Sequence, residues 1–150
     1  MAYVTTAQMK QRLGDDLYAR LTDRVNGATE NATVAQAIVD EAEALAHSYL
    51  AQRYATPVDL TAHPELANVL RSRVLDLVEH LAWRTSPFVG NLPDRVLFMQ
   101  EDALRWFESV ASGRIPLPAA APPASRTAEN DGPRFAATAR KFTGDELDGL

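Results

Sequence analysis

Residues 64–81 read PELANVLRSRVLDLVEHL, and this stretch decides the fold. Proline is favoured at the first position of a helix, because the amide hydrogen that it lacks would have no partner there. Apolar residues then recur at steps of three and four, which is the spacing of one broad helical face. These residues are Leu66, Val69, Leu70, Val74, Leu77, Val78 and Leu81. The breadth of the face predicts a long helix at the centre of a helical domain.

Two further long helices are predicted, one on each side of this stretch in the sequence. The first spans about 33–54, with Thr33 as its capping residue and Pro57 just beyond its end. The second spans about 94–112, and Gly113 is placed to terminate it. Strand-like alternation of polar and apolar residues is weak throughout the chain.

The first thirty residues predict a smaller, irregular unit. A threonine pair at 5–6 can cap a short helix that Gly14 ends, and an aspartate pair at 15–16 can start a second one. The polar stretch 22–32 reads as a loop. We therefore expect an all-α fold: a compact bundle of three long helices plus short N-terminal helices, followed by an extended C-terminal tail.

Composition and charge exclude several classes of protein. The 150 residues include no cysteine, which excludes a disulfide framework, a thiolate metal site and a thiol nucleophile. The formal net charge of −5 argues against a general DNA-binding surface, because such a surface needs clustered basic residues. No apolar run approaches the length of a membrane span, and we expect neither a signal segment nor a membrane partner.

The composition changes after Gly113. The predicted helical domain covers 1–113, and the tail 114–150 is rich in proline, alanine and small polar residues. A segment of this kind buries too little apolar surface to become ordered alone, so we expect it to be disordered when free. Its last part, 134–150, combines apolar and basic residues and is predicted to anchor the chain on a partner. The expected anchors are Phe135, Arg140, Lys141, Phe142 and Leu147.

Residues suited to catalysis are few. Glu43 precedes His47 by four residues and Asp76 precedes His80 by four, so each pair shares a helix face. Two such pairs on neighbouring helices are one way to build a metal site in a bundle, although pairs of this kind are common on helix surfaces. The sequence has no phosphate-binding glycine loop, calcium-loop pattern or serine-nucleophile motif. We therefore predict no enzymatic activity, no cofactor and no metal.

Trp106 and Phe107 are adjacent in the third long helix. Neighbouring helical residues point in directions about 100° apart, so both cannot face one core. Aromatic residues are enriched at protein interfaces, and we predict that this pair contributes to a contact between subunits.

Five stretches together resemble a known family. They are 1–14, the Leu-Thr-Asp at 21–23, the Tyr-Leu-Ala-Gln-Arg-Tyr at 49–54 with its nearby proline, the Asp-Ala-Leu-Arg-Trp at 102–106 with Gly113, and the Arg-Lys-Phe-Thr-Gly-Asp-Glu-Leu at 140–147. In this order and at this spacing they resemble the Mu-type tailed-phage head–tail connector proteins, also called adaptor or head-completion proteins. The resemblance covers most of the chain, but it does not extend to the loop at 85–93 or to 98–100.

The resemblance implies a structural role in the neck of a virion, with no covalent chemistry. Identical subunits, with twelve as the expected number, would form a ring under the portal protein and above a tail-side stopper or tail terminator protein. The ring would extend the DNA channel, help to retain the genome and provide the surface on which the tail docks. The C-terminal anchors would then bind the portal or a neighbouring subunit, and genomic DNA would pass without sequence-specific binding.

Asp40, Glu41 and Glu43 would suit the lining of such a channel, because DNA slides most easily past a surface that does not attract phosphate. The alternative is that these residues form an ordinary solvated helix face. Two other functions stay open at this point. One is a small helical adaptor or regulator whose C-terminal peptide docks on an unrelated partner, and the other is a helical metalloenzyme built on the two carboxylate–histidine pairs.

Overall fold

The computed structural model describes residues 2–117, and the predictions for the C-terminal tail beyond 117 lie outside this range. The described chain contains five helices and no strand, which confirms the all-α prediction. The helices are α1 (Thr6–Leu13), α2 (Asp15–Thr22), α3 (Ala32–Leu50), α4 (Pro64–Thr85) and α5 (Asp94–Ala111).

Helices α1 and α2 form because of the local signals predicted at their ends. The Thr5 side chain accepts a hydrogen bond from the backbone N–H of Gln8, and the Gln8 side chain accepts one from the N–H of Thr5. This reciprocal capping satisfies two amides that would otherwise lack partners. Gly14 separates the two helices with φ +80°, a backbone conformation that other residues rarely adopt.

The bounds of α3 differ from the prediction at both ends. Asn31, and not Thr33, caps the helix: its side chain accepts a hydrogen bond from the N–H of Val34. Both residue types are good caps, so the sequence pattern alone does not separate them. At the other end the helix stops at Leu50, and residues 51–54 form turns in place of a further helical turn.

Helix α4 is central, as its broad apolar face predicted: it contacts each of the other four helices. Arg84, near its end, lies 3.4 Å from Glu41 in the middle of α3. Glu79 likewise binds Arg95 at the start of α5, at 2.8 Å. These pairings show that α4 runs antiparallel to both α3 and α5, so the ends of α3 and α5 lie at the same end of the bundle.

The core lies between the three long helices and is closed on one side by α1 and α2. Burying a leucine, valine or phenylalanine side chain contributes about 1.5–3 kcal/mol to folding, so this apolar set is the main source of stability. The core includes Leu117, four residues beyond the predicted domain end at 113. The largest fully buried side chains are Phe107, Met9, Leu21, Leu50, Leu70, Leu77, Val4, Val39, Val74, Val78, Val96 and Val110.

Candidate functional site at the base of the C-terminal segment

The chain leaves the described body at a buried contact between Tyr54 and Leu117. The Tyr54 hydroxyl accepts a hydrogen bond from the backbone N–H of Leu117 at 2.9 Å. Tyr54 is only 7% exposed and Leu117 only 2%, so water does not replace this bond. The contact therefore fixes the point from which the C-terminal segment starts.

A second contact at the same place joins Arg53 to Gly113. Gly113 has φ +80°, and a Cβ atom added to it would collide with the Arg53 guanidinium. Glycine is thus required for its backbone conformation, whereas an added Cβ would displace only the flexible end of the Arg53 side chain. The guanidinium carbon of Arg53 also lies 6.0 Å from the centre of the Tyr54 ring. Arg53 and Gly113, which belong to two of the stretches that carried the family resemblance, therefore meet at the base of the tail.

The N-terminal segment braces this end of the bundle. The Glu43 carboxylate accepts hydrogen bonds from the backbone N–H groups of Tyr3, at 2.6 Å, and Val4, at 2.9 Å. The Tyr3 hydroxyl accepts the N–H of Val58 at 2.7 Å, and its ring packs edge-on against His47. Burial raises the pKa of Tyr3, so its hydroxyl stays protonated at neutral pH. The segment thus ties α3 to the loop that follows it.

An open, mostly apolar cavity of about 210 Å³ lies beside the N-terminal segment. We call it the α3–α4 cavity, after the loop between these two helices that lines it. Its walls are the N-terminal segment, the loop at 58–61 and the first two turns of α4. Arg71 contributes the cationic part of the wall, and its buried Nε has no hydrogen-bond partner. Asp59 is also in the wall, but its Oδ1 already accepts hydrogen bonds from the backbone and hydroxyl of Thr61.

The outer face of α5 carries exposed apolar side chains that sequence reasoning missed. Phe98 is 64% exposed, and its neighbour Leu97 is 38% exposed. Single exposed apolar residues are normal, but a phenylalanine exposed to this extent beside a leucine marks a patch that another surface can cover. The only available sequence signal was that Phe98 falls outside the apolar stripe of its helix.

Trp106 and Phe107, the aromatic pair predicted at a subunit interface, differ in their burial. Phe107 is completely buried, stacks on Tyr49 at 6.1 Å between ring centres, and belongs to the core of its own chain. Its placement corrects our assignment of this residue to a subunit interface. Trp106 packs edge-on against Phe107 at 5.1 Å and is partly exposed. The interface prediction therefore depends on Trp106 alone.

The three acidic residues proposed for a channel do not act as one surface. Asp40 is exposed and accepts a hydrogen bond from Gln36 at 2.8 Å. Glu41 is exposed and faces Arg84. Glu43 is partly buried and holds the N-terminal segment, so its carboxylate is already used within the chain. A solvent-facing acidic surface here consists of Asp40 and Glu41.

A family model described as "Bacteriophage Mu, Gp36" matches residues 3–136. The chain belongs to this family. Membership makes it a bacteriophage protein with a structural or morphogenetic role. No curated protein and no solved structure matches the chain.

Of the predicted anchors of this Gp36-family protein, Phe135 lies inside the matched range, whereas Arg140, Lys141, Phe142 and Leu147 follow it. All five lie outside the residues that the structure describes. What the structure adds is the fixed starting point of their segment, at Leu117.

In both carboxylate–histidine pairs of the Gp36-family chain, the carboxylate binds groups other than the histidine. Glu43 holds the N-terminal segment, and Asp76 forms ion pairs with Arg12 and Arg73. Burial lowers the pKa of His80, with a smaller effect from the positive charge of Arg84. Within residues 2–117, no group of three or more His, Asp or Glu side chains is placed to hold a metal ion.

Asp76 and Glu79 form the most buried charged cluster of the described chain. Their side chains are 6% and 4% exposed, and Glu79 accepts hydrogen bonds from Arg12 at 3.0 Å and Arg95 at 2.8 Å. Burial raises the pKa of Asp76, and the nearby guanidinium of Arg12 opposes this rise. The cluster joins α1, α4 and α5, and sequence reasoning missed it because Arg12 lies more than sixty residues away.

Asp23 organises the loop between α2 and α3. Its carboxylate accepts backbone N–H groups from Val25, Ala28 and Thr29 at 2.8–3.0 Å. These hydrogen bonds, led by the one from Val25, lower the pKa of Asp23 to about 2. The loop is therefore a turn held by one carboxylate, whose two oxygens are both engaged by backbone amides.

None of the helices in the range 2–117 is long and apolar enough to cross a membrane.

Proposed function

We propose that this Gp36-family protein is a head–tail connector of a tailed bacteriophage or phage-like particle. In this proposal its subunits form a ring, with twelve as the expected number, between the portal and a tail-side stopper or tail terminator protein in the neck of the virion. The ring extends the DNA channel, helps to retain the genome and offers the surface on which the tail docks. It acts by binding and shape, without covalent chemistry.

The observation that carries the proposal is the rigid base of the C-terminal segment. The Tyr54 hydroxyl holds the start of this segment against the end of the bundle, and the Arg53 guanidinium lies beside it at Gly113. A further 33 residues follow Leu117, and as a flexible coil they would reach about 30 Å. A body with a fixed attachment point and a long segment is suited to holding a neighbouring protein of the particle while the body keeps its own position.

The exposed carboxylates of Asp40 and Glu41 support the channel part of the proposal. Acidic side chains repel phosphate, so a ring that turns this face inward lets DNA slide past. Arg84, which reaches the surface beside these carboxylates, lies 3.4 Å from Glu41.

Deletion of 134–150 tests the anchoring role. We expect the truncated chain to keep its helical circular dichroism and melting temperature, because the described core ends at Leu117. It should nevertheless fail to assemble on purified portal rings and be missing from particles. A matched control keeps the length and composition of 134–150 but scrambles its order. Normal incorporation of the truncated chain would contradict the anchoring role.

A comparison of Phe142→Ala with Thr138→Ala sharpens this test. Both changes affect one side chain of the same segment, but only Phe142 is a predicted anchor. We expect portal binding to weaken at least tenfold for Phe142→Ala and to be unchanged for Thr138→Ala. Portal, capsid and tail genes beside the gene for this chain would separate the connector from the small helical adaptor or regulator, which would have no reason to lie among them.

A further inference from the structure

The surface of the described body carries an exposed apolar patch and an open apolar cavity. The patch is formed by Phe98 and Leu97 on the outer face of α5. The cavity is the α3–α4 cavity, whose wall includes Leu70, Ala67 and Val58. The patch projects from the surface and the cavity is open to it. A side chain of the patch can therefore insert into the cavity.

The two features are at opposite ends of the bundle. Phe98 lies in the first turns of α5, next to the end of α4, whereas the cavity includes the first turns of α4. The 22 residues of α4 span about 33 Å. Phe98 therefore does not reach the cavity of its own chain, and only the Phe98 of another copy can enter it.

Size and charge also match. A cavity of about 150 Å³ holds one benzene molecule, so about 210 Å³ has room for a phenyl ring. Around Phe98 the exposed carboxylates Asp94, Glu101 and Asp102 outnumber the exposed cations Arg95 and Arg105. Arg95 is paired with the buried Glu79, and Arg105 is paired with Glu101 and Asp102. The cavity wall includes the guanidinium of Arg71, whose Nη1 donates a hydrogen bond to Asn68 at 2.9 Å but which pairs with no carboxylate within residues 2–117.

We infer that the outer face of α5 of one subunit docks into the α3–α4 cavity of the next, with Phe98 inserted and the carboxylates beside it facing Arg71. This inference rests on the proposed function and specifies the contact from which the ring is built. A contact between two different surfaces repeats from subunit to subunit, and it closes into a ring when the rotation allows. Trp106 lies two helical turns from Phe98 on the same side of α5, so it would lie at the margin of this contact.

Site-directed cross-linking tests the contact. The chain has no cysteine, so only the introduced thiols react. Glu101→Cys places a thiol beside Phe98, and Thr61→Cys places one at the cavity. With both changes in one chain, a short bis-maleimide should convert more than half of concentrated protein into a ladder of dimers and larger species. Mixing the two single variants should stop at the heterodimer, because each chain then has one reactive end.

Two controls decide the outcome. Adding Phe98→Asp to the double-cysteine chain should reduce the ladder at least tenfold without changing the circular dichroism, since Phe98 is largely exposed. The pair Glu101→Cys and Ala44→Cys, with the second thiol on the exposed face of α3, should give no ladder. Equal ladders from the two cysteine pairs, or a ladder that survives Phe98→Asp, would overturn the inference.

Other occupants of the cavity give different products. Cross-linking of Thr61→Cys to Phe142→Cys in preference to Glu101→Cys would show that the C-terminal segment fills the cavity, and this would also overturn the inference. The proposed function is judged separately, by the presence of wild-type protein in particles and by its binding to the portal. If the protein binds the portal but gives no ladder, the contact between α5 and the cavity is contradicted and the proposed function is not.

Discussion

The guanidinium of Arg12 in α1 lies 3.0 Å, Nε to Oε2, from the buried carboxylate of Glu79 in α4. The same guanidinium binds Asp76, one helical turn earlier. One side chain from the N-terminal unit thus pairs with two carboxylates that the central helix buries, and Arg73 and Arg95 supply the remaining positive charge. This link holds the short helices against the bundle more specifically than apolar packing alone.

Replacement of Arg12 by alanine should lower the free energy of unfolding by about 2–4 kcal/mol. Breaking a buried ion pair by removing one partner costs about 3–5 kcal/mol, and Arg73 and Arg95 remain to limit the loss. Urea unfolding followed by circular dichroism measures the change. Arg84→Ala is the matched control, because its pairing with Glu41 is exposed and should be worth less than about 1 kcal/mol.

The defect of Arg12→Ala should also depend on pH. Burial raises the pKa of Asp76 in the folded chain, and loss of Arg12 removes the cation that opposes this rise. Asp76 then binds a proton more readily when folded than when unfolded, so protonation favours the folded state. We expect the difference from wild type to shrink as the pH falls below neutrality. A difference that grows on acidification would contradict this account.

Asp23 should contribute stability with the opposite dependence on pH. Its folded pKa, about 2, lies below the value of about 3.9 for an unfolded aspartate. Its contribution is therefore complete above about pH 4 and is lost as the pH falls towards 2. The difference in stability between wild type and Asp23→Ala should follow this course. Asp16→Ala serves as the control, since that carboxylate is exposed at the start of α2.

Gly27→Ala should destabilise the chain by about 1–2 kcal/mol, the cost of a left-handed conformation for a residue with a Cβ atom. Gly27 has φ +70°, and its added Cβ would lie 3.1 Å from Cγ of Phe88. Gly90→Ala is the control in the neighbouring loop, where an added Cβ meets no atom within 4 Å. That variant should melt within a few degrees of wild type. Similar losses for both would contradict the role assigned to Gly27.

The sequence predicts the helices well and the long-range contacts poorly. Periodicity and a terminal proline were enough to place α4, because both act within a few residues. Asp76 was instead matched with His80 at helical spacing, although the stronger partner, Arg12, is brought to it by tertiary packing. The only local signal of Phe98 is its place outside the apolar stripe of α5, because its exposure depends on how that helix packs against the rest of the chain. The Tyr54–Leu117 contact likewise joins residues 63 apart.

Tyr54→Phe tests the attachment of the C-terminal segment at this contact. The change leaves the buried N–H of Leu117 without an acceptor, which costs about 1–3 kcal/mol. We expect faster proteolysis between 113 and 117 and weaker binding to the portal, with the helical content unchanged. Tyr49→Phe is the control, because the Tyr49 hydroxyl makes no hydrogen bond within residues 2–117. Equal effects of the two changes would show that the attachment does not depend on this bond.

Charge reversal at Asp40 and Glu41 tests the proposed lining of the channel. In the Asp40→Lys, Glu41→Lys variant the exposed face of α3 attracts phosphate, so the purified protein should bind duplex DNA more tightly at low salt. This gain should fall steeply as salt increases, because each neutralised phosphate releases counterions. In particles, the same variant should slow genome ejection, since the attraction acts on DNA that slides past every subunit. The matched control places two lysines at Glu65 and Glu108, which are also exposed but lie on α4 and α5. It gives the same net charge, so equal slowing by both variants would indicate a general charge effect and contradict an inward-facing α3.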